Sequence, residues 1–153
     1  SSGGHLAALC GVTENIFKFE PYDYLPNIST KVCAVIDIDG ILDFTHPAES
    51  GKDTSELYPS VGKLWLGETY NENPELWIEA SPLKYISERS PEFFFINSSI
   101  DRFHTGRDSA IVLFEKFKIN YSIKTLPKTP HTFWLFEPWF EPTTNFIVDY
   151  LKK

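Results

Sequence analysis

The 153-residue chain contains no methionine. A sequence without one does not begin at its own start codon, and this one opens inside a turn motif. It therefore reads as the C-terminal part of a longer protein, and the lack of a leader in it excludes no compartment. Cysteine is scarce: Cys10 and Cys33 are the two, expected as buried unpaired thiols, with a disulfide between them as the alternative. No apolar run approaches the roughly 20 residues that cross a bilayer. No Cys/His cluster has metal-site spacing, so neither metal nor cofactor is expected. No repeat or low-complexity segment occurs. Positive charge is also short: 14 Lys and Arg against 21 Asp and Glu give a formal charge of -7 and a pI near 5.0. That balance argues against nucleic acid or an anionic membrane as partner.

What is present is globular and rich in rings, with 42% hydrophobic and 16% aromatic residues. The length suits one domain with a real core. Residues 3–10 favour a helix, with the apolar Leu6, Leu9 and Cys10 on one side and Gly11 as its C-cap. His5 within it reads as a packing residue. Residues 14–30, punctuated by Pro21, Pro26 and Asn27, read as an irregular connection. Residues 32–38, Val-Cys-Ala-Val-Ile-Asp-Ile, form an apolar run expected as a strand buried on both faces, ended by Asp39-Gly40. From Ile41 to Pro82 the sequence is turn-rich and helix-poor, with Trp65, Tyr70 and Trp77 embedded. A loop of that length predicts a lid-like insertion or substrate wall at about 41–82. A second buried strand is expected over Phe93-Phe94-Phe95-Ile96. The clearest helix is 107–118, with Ala110, Leu113, Phe114 and Phe117 on one stripe. Tyr121–Leu126 alternates as a third, more peripheral strand, and a last helix carries Phe146, Ile147, Tyr150 and Leu151 on one face. Alternation of this kind predicts parallel strands between helices in a three-layer α/β/α sandwich.

The chemistry sits at the expected C-terminal ends of strands. Ser1-Ser2-Gly3-Gly4-His5 reads as the back half of a G-x-S-x-G nucleophile elbow running into a helix, given a glycine two places upstream of Ser1 and outside this sequence. The backbone N–H of Ser2 then lies at the helix start, where it can stabilise an oxyanion. Asp101 follows the second visible strand and His131 the third, so the order is Ser, Asp, His. In these roles Ser1 attacks a carbonyl, His131 shuttles its proton and Asp101 orients the imidazole. Alternatives stand beside each assignment. Ser2 also fits the nucleophile spacing through Gly4, and Asp37 and Asp39 are further acids at a strand end, with Asp39 expected to touch substrate. His46 and His104 are expected in rim loops. Trp134, Trp139 and Phe140 suit a sugar-stacking rim or packing against the last helix.

Ser1-Ser2-Gly3-Gly4-His5-Leu6-Ala7 resembles the elbow of α/β-hydrolase esterases reading S-A-G-G-H-L-A. Ile100-Asp101-Arg102-Phe103 resembles their acid-bearing turn, and Thr129-Pro130-His131-Thr132-Phe133 their histidine loop. The tail from Phe133 to Pro142 is similar to the bacterial feruloyl, acetyl-xylan and pectin acetyl esterase branch. The resemblance implies the C-terminal half of an α/β-hydrolase (residues 1–153, partial). It also implies a Ser1, Asp101, His131 triad and deacylation of plant cell-wall polysaccharide by a periplasmic or secreted protein. Other functions on the same fold are a serine peptidase of the prolyl-oligopeptidase kind and a non-catalytic module. Three departures stand out: the first two elbow positions lie outside the sequence, the usual H-G-T before the acid is Asn97-Ser98-Ser99 here, and the second oxyanion donor is expected upstream of the sequence.

Overall fold

The computed structural model describes residues 1–20, 28–51 and 57–153. Pro21, Pro26 and Asn27 of the expected irregular connection lie outside the described residues. Three parallel strands, β1 (Ala34–Ile38), β2 (Glu92–Asn97) and β3 (Tyr121–Thr125), form one sheet in the order β1-β2-β3. Val35 aligns with Phe93, and Phe93 in turn with Tyr121. On one face α1 (Ser2–Val12) and α5 (Arg107–Phe117) pack through Ala8, Val12, Ala110 and Phe114 onto Val35, Phe93 and Phe95. On the other, α6 (Phe140–Leu151) brings Phe146, Ile147 and Tyr150 over Phe94 and Ile96. The three-layer arrangement expected from the alternation of elements is present. β2 is buried on both faces because a helix layer covers each.

The side of α1 with Leu6, Leu9 and Cys10 is not the one that packs. Gly4, His5, Ala8, Gly11 and Val12 are buried, whereas Leu6 and Cys10 are exposed. Small residues face the sheet because the helix lies close upon it. A Cβ on Gly11 would meet Val35 Cγ2 at 2.4 Å, and one on Gly4 would meet Asp37 Oδ1 at 2.3 Å. Cys33 is also exposed, so both thiols are free but neither is buried. β1 is likewise narrower than its apolar run. Val35 and Asp37 point inward, while Ala34, Ile36 and Ile38 are half-covered.

Among the described residues, the 41–82 stretch holds three short helices rather than helix-poor loop: α2 (Pro47–Ser50), α3 (Val61–Leu66) and α4 (Pro74–Glu79). Each starts at a side-chain cap: His46 Nδ1 accepts from Ala48 N, Ser60 Oγ from Lys63 N, and Asn73 Oδ1 from Leu76 N. At four to six residues they are too short to show a periodic stripe. Trp77 anchors them as the centre of a small cluster with Phe44 and Ala80, its Nε1 donating to Glu68 O at 3.0 Å.

The fold buries one carboxyl group without full compensation. Asp37, fully buried at the end of β1, accepts from Gly40 N at 2.6 Å through Oδ1, and among the described residues its Oδ2 has no partner. Burial pushes this carboxyl from 3.8 up to about 6, against the opposing pull of the Gly40 N–H. A folded-state value above the unfolded one means that the native protein holds a proton the unfolded chain releases. Stability from this group is therefore complete below about pH 4 and falls as pH rises towards 6. The neutral isostere Asp37→Asn is expected to stabilise the protein by at most about 3 kcal/mol above pH 6 and by nothing near pH 4, read by denaturant unfolding at the two pH values. A second expectation concerns α1. Gly3 has nothing within 4 Å of an added Cβ, so Gly3→Ala should stabilise by about 0.5–1 kcal/mol. Gly11→Ala should destabilise by about 1–3 kcal/mol in the same measurement.

Candidate active site

The C-terminal ends of β1 and β2, the start of α1 and the loop after β3 converge. Ser1 is the N-cap of α1, and its backbone nitrogen donates to Ile38 O, the last carbonyl of β1. Ser1 and Ser2 open on a cavity of about 420 Å³ that is also lined by Asp39 and His131. Its apolar walls are Leu6, Ile41, Phe44, Val61, Trp65 and Phe103. Thus α3, from the middle of the 41–82 stretch, forms one side of it. Ser2 is the first residue of α1, so its N–H is among those with no intrahelical acceptor.

Asp39 has a positive φ of 50°, a conformation that aspartate tolerates better than most residues. Its backbone N–H extends the ladder to Ile96 O at 3.2 Å, and its carboxylate turns inward, fully buried. Burying that charge requires donors, and three are present. Oδ1 accepts from Ser98 N at 2.7 Å and from Asn97 Nδ2 at 3.4 Å. Oδ2 lies 3.0 Å from His131 Nδ1. A carboxylate only accepts, so Nδ1 carries the proton. Nε2 is then the nitrogen left to exchange protons, and it has no partner among the described residues. Asn97 is itself oriented by Arg107 Nη1, which donates to its Oδ1 at 3.0 Å.

The structure does not bring Asp101 to the histidine. Asp101 begins a 3₁₀ turn, Asp101–His104, with its side chain in solvent, 3.9 Å from His104 Nδ1. The acid that meets His131 is Asp39, which the sequence reading expected as a substrate contact. Trp134 stands edge-on to His131 with ring centroids 5.1 Å apart and packs with Phe133 in the core beneath α6. It is not in the cavity wall, the place expected of a substrate contact. His104 donates from Nε2 to Ser98 O at 2.9 Å, and His46 caps α2. Both are structural rather than substrate-facing. His5 is buried, as expected of a packing residue, with Nε2 donating to Ala80 O at 2.7 Å; burial holds its pKa below the usual value. Asn97 and Arg107 were missed as parts of the site. Their signal in the sequence was the departure from H-G-T, since an asparagine and a free N–H at a strand end can hold a neighbouring carboxylate.

The chain is similar to several known esterases. The BD-FAE family model matches residues 1–115. Among curated relatives, the probable carboxylic ester hydrolase LipM of Mycobacterium tuberculosis is 27% identical over 136 residues, covering 87% of this chain and 31% of LipM. Esterase LipC of the same organism is 31% identical over 102 residues, 66% of this chain and 24% of LipC. Among solved structures, a truncated carbohydrate esterase from gut microbiota superposes with a TM-score of 0.71 at 21% identity, over 100% of this chain and 58% of the other. A bifunctional GH43-CE protein of Bacteroides eggerthii gives 0.65 at 24% identity, over 98% and 22%. An esterase of the Planctomycetes species Thermogutta terrifontis gives 0.63 at 18%, over 99% and 51%. The chain thus spans less than a third of these curated relatives and at most 58% of these structures. The shared architecture is the α/β-hydrolase fold. With the family model matched over most of its length, the chain belongs to the BD-FAE family.

Proposed function

We propose that the protein is a carboxylic-ester hydrolase working through Ser1, His131 and Asp39. The observation that carries this reading is the 3.0 Å contact between His131 Nδ1 and the buried Asp39 carboxylate, beside a cavity on which Ser1 also opens. Ser1 Oγ attacks the acyl carbonyl while His131 Nε2 takes its proton. Asp39 holds the Nδ1–H tautomer and stabilises the imidazolium that forms. The tetrahedral oxyanion accepts from the Ser2 N–H at the start of α1, where the helix dipole also favours negative charge. His131 then protonates the departing alcohol, and water repeats the sequence to release the acid.

The substrate class proposed is an acetyl or feruloyl ester on plant cell-wall polysaccharide. It is supported by the likeness to a gut carbohydrate esterase and to a GH43-CE protein, and by the resemblance of the tail. On this reading residues 41–82 contribute the wall that receives the substrate, through Phe44, Val61 and Trp65.

The test is turnover of p-nitrophenyl acetate by the full-length protein. A fluorophosphonate probe should label Ser1, and His131→Ala should abolish both labelling and turnover. Asp39→Asn, which upsets the tautomer while keeping the shape, should lower kcat by about 10⁴-fold. Asp101→Asn, at an exposed side chain, should leave it close to wild type. The reverse order of the two variants would return the acid's role to Asp101.

A further inference from the structure

The turn Asp101–His104 sends its side chains in different directions. Asp101 points to solvent and His104 reaches back to Ser98 O. Phe103 lies flat on the imidazole of His131, with ring centroids 3.4 Å apart and planes 9° from parallel. Arg102 forks onto Glu49 of α2, with Nε to Oε1 at 2.8 Å and Nη2 to Oε2 at 3.0 Å, and Glu49 is buried. Two parallel N–H···O bonds fix direction as well as distance. The far side of the turn is tied down too: Thr105 Oγ1 donates to Arg102 O at 2.6 Å, and Leu42 N donates to Thr105 O at 2.9 Å.

A single hydrogen bond from Nδ1 to Asp39 fixes one atom of the imidazole and leaves the ring free to swing about that contact. A ring stacked on its face removes that freedom, because rotation drives the imidazole into Phe103. Trp134, nearly perpendicular at 89°, adds a second wall. We propose that Phe103 is a positioning residue for His131, and that the Arg102–Glu49 pair is the clamp that sets Phe103 against it. This rests on His131 being the general base. The clamp also ties the 41–82 segment to the site: α2 supplies Glu49, so the segment that walls the cavity holds the histidine's stacking partner.

The experiment uses the full-length protein and p-nitrophenyl acetate. Phe103→Leu should lower kcat by about 10- to 100-fold, the scale of a misplaced catalytic group, a larger factor than any change in KM from the ring's place in the cavity wall. Phe103→Tyr, which keeps the stacked ring, should restore it. Arg102→Lys, which keeps the charge and loses both the fork and the guanidinium lying 5.3 Å from the Phe103 ring centroid, should lower kcat in the same direction by a smaller factor while leaving Phe103 itself in place. The far-downfield Nδ1 proton of His131 gives a readout independent of turnover: it should be sharp in the wild type and Phe103→Tyr, and broadened in Phe103→Leu and Arg102→Lys. Wild-type kcat with a sharp resonance in both Phe103→Leu and Arg102→Lys overturns the proposal. So does a loss of turnover that only follows a loss of folded protein, with the resonance of the folded remainder unbroadened. If His131→Ala keeps full turnover, the general-base reading itself fails. If it is dead while Phe103→Leu is like wild type, only the positioning role fails.

Discussion

A carboxylate taken fully out of water must be surrounded by donors or it will not stay charged, and Asp39 is such a group. Its donors come from separate parts of the chain: the Ser98 N–H and the Asn97 amide at the end of β2, and the His131 ring after β3. Meeting this one requirement draws the ends of all three strands to a single point. Parallel strands supply the geometry, because each crossover returns the chain to the same edge. Arg107, the first residue of α5, extends the network by one further bond through Asn97.

The second constraint is the closeness of α1 to the sheet. Gly40 would place a Cβ 2.6 Å from His5 N and 2.7 Å from the Gly4 carbonyl carbon. Glycine at both positions lets the start of α1 sit beside the end of β1. That contact carries Ser1 to the cavity edge and leaves Asp37 buried underneath with one oxygen unpartnered among the described residues. Leu6, on the opposite face of the helix, is free to line the cavity. The 41–82 segment closes the arrangement from the other side, with Trp77 packed under Gly62 and Glu49 paired to Arg102.

Much of this was legible in the sequence. The phenylalanine run of β2 and the stripe of α5 announced their elements because burial on both faces, or on one helical face, leaves a clear pattern. The start of α1, His131 and the three-layer order followed from motif and alternation. Local pattern misled where neighbours decide the outcome. In α1 the large residues looked like the packing face, yet close approach selects the small ones. The short helices α2, α3 and α4 rest on caps at His46, Ser60 and Asn73 rather than on periodicity. The acid was the subtlest case. Asp101 occupies the position that the family resemblance favours, but the turn that carries it presents Phe103, not a carboxylate, to the imidazole. Asp39 was weighed as an acid, and what singles it out is long-range: residues 39, 97, 98 and 131 meet only in the fold.

The proposed chemistry has the imidazole of His131 held by Asp39 at Nδ1 and serving Ser1 through Nε2. The most direct measurement is a crystal structure of the full-length protein after reaction with a phosphonate ester. The expected result is phosphorus bonded to Ser1 Oγ, His131 Nε2 facing the adduct, and Nδ1 still donating to Asp39. An adduct on Ser2, or an imidazole whose Nδ1 has turned to Asp101, would contradict it.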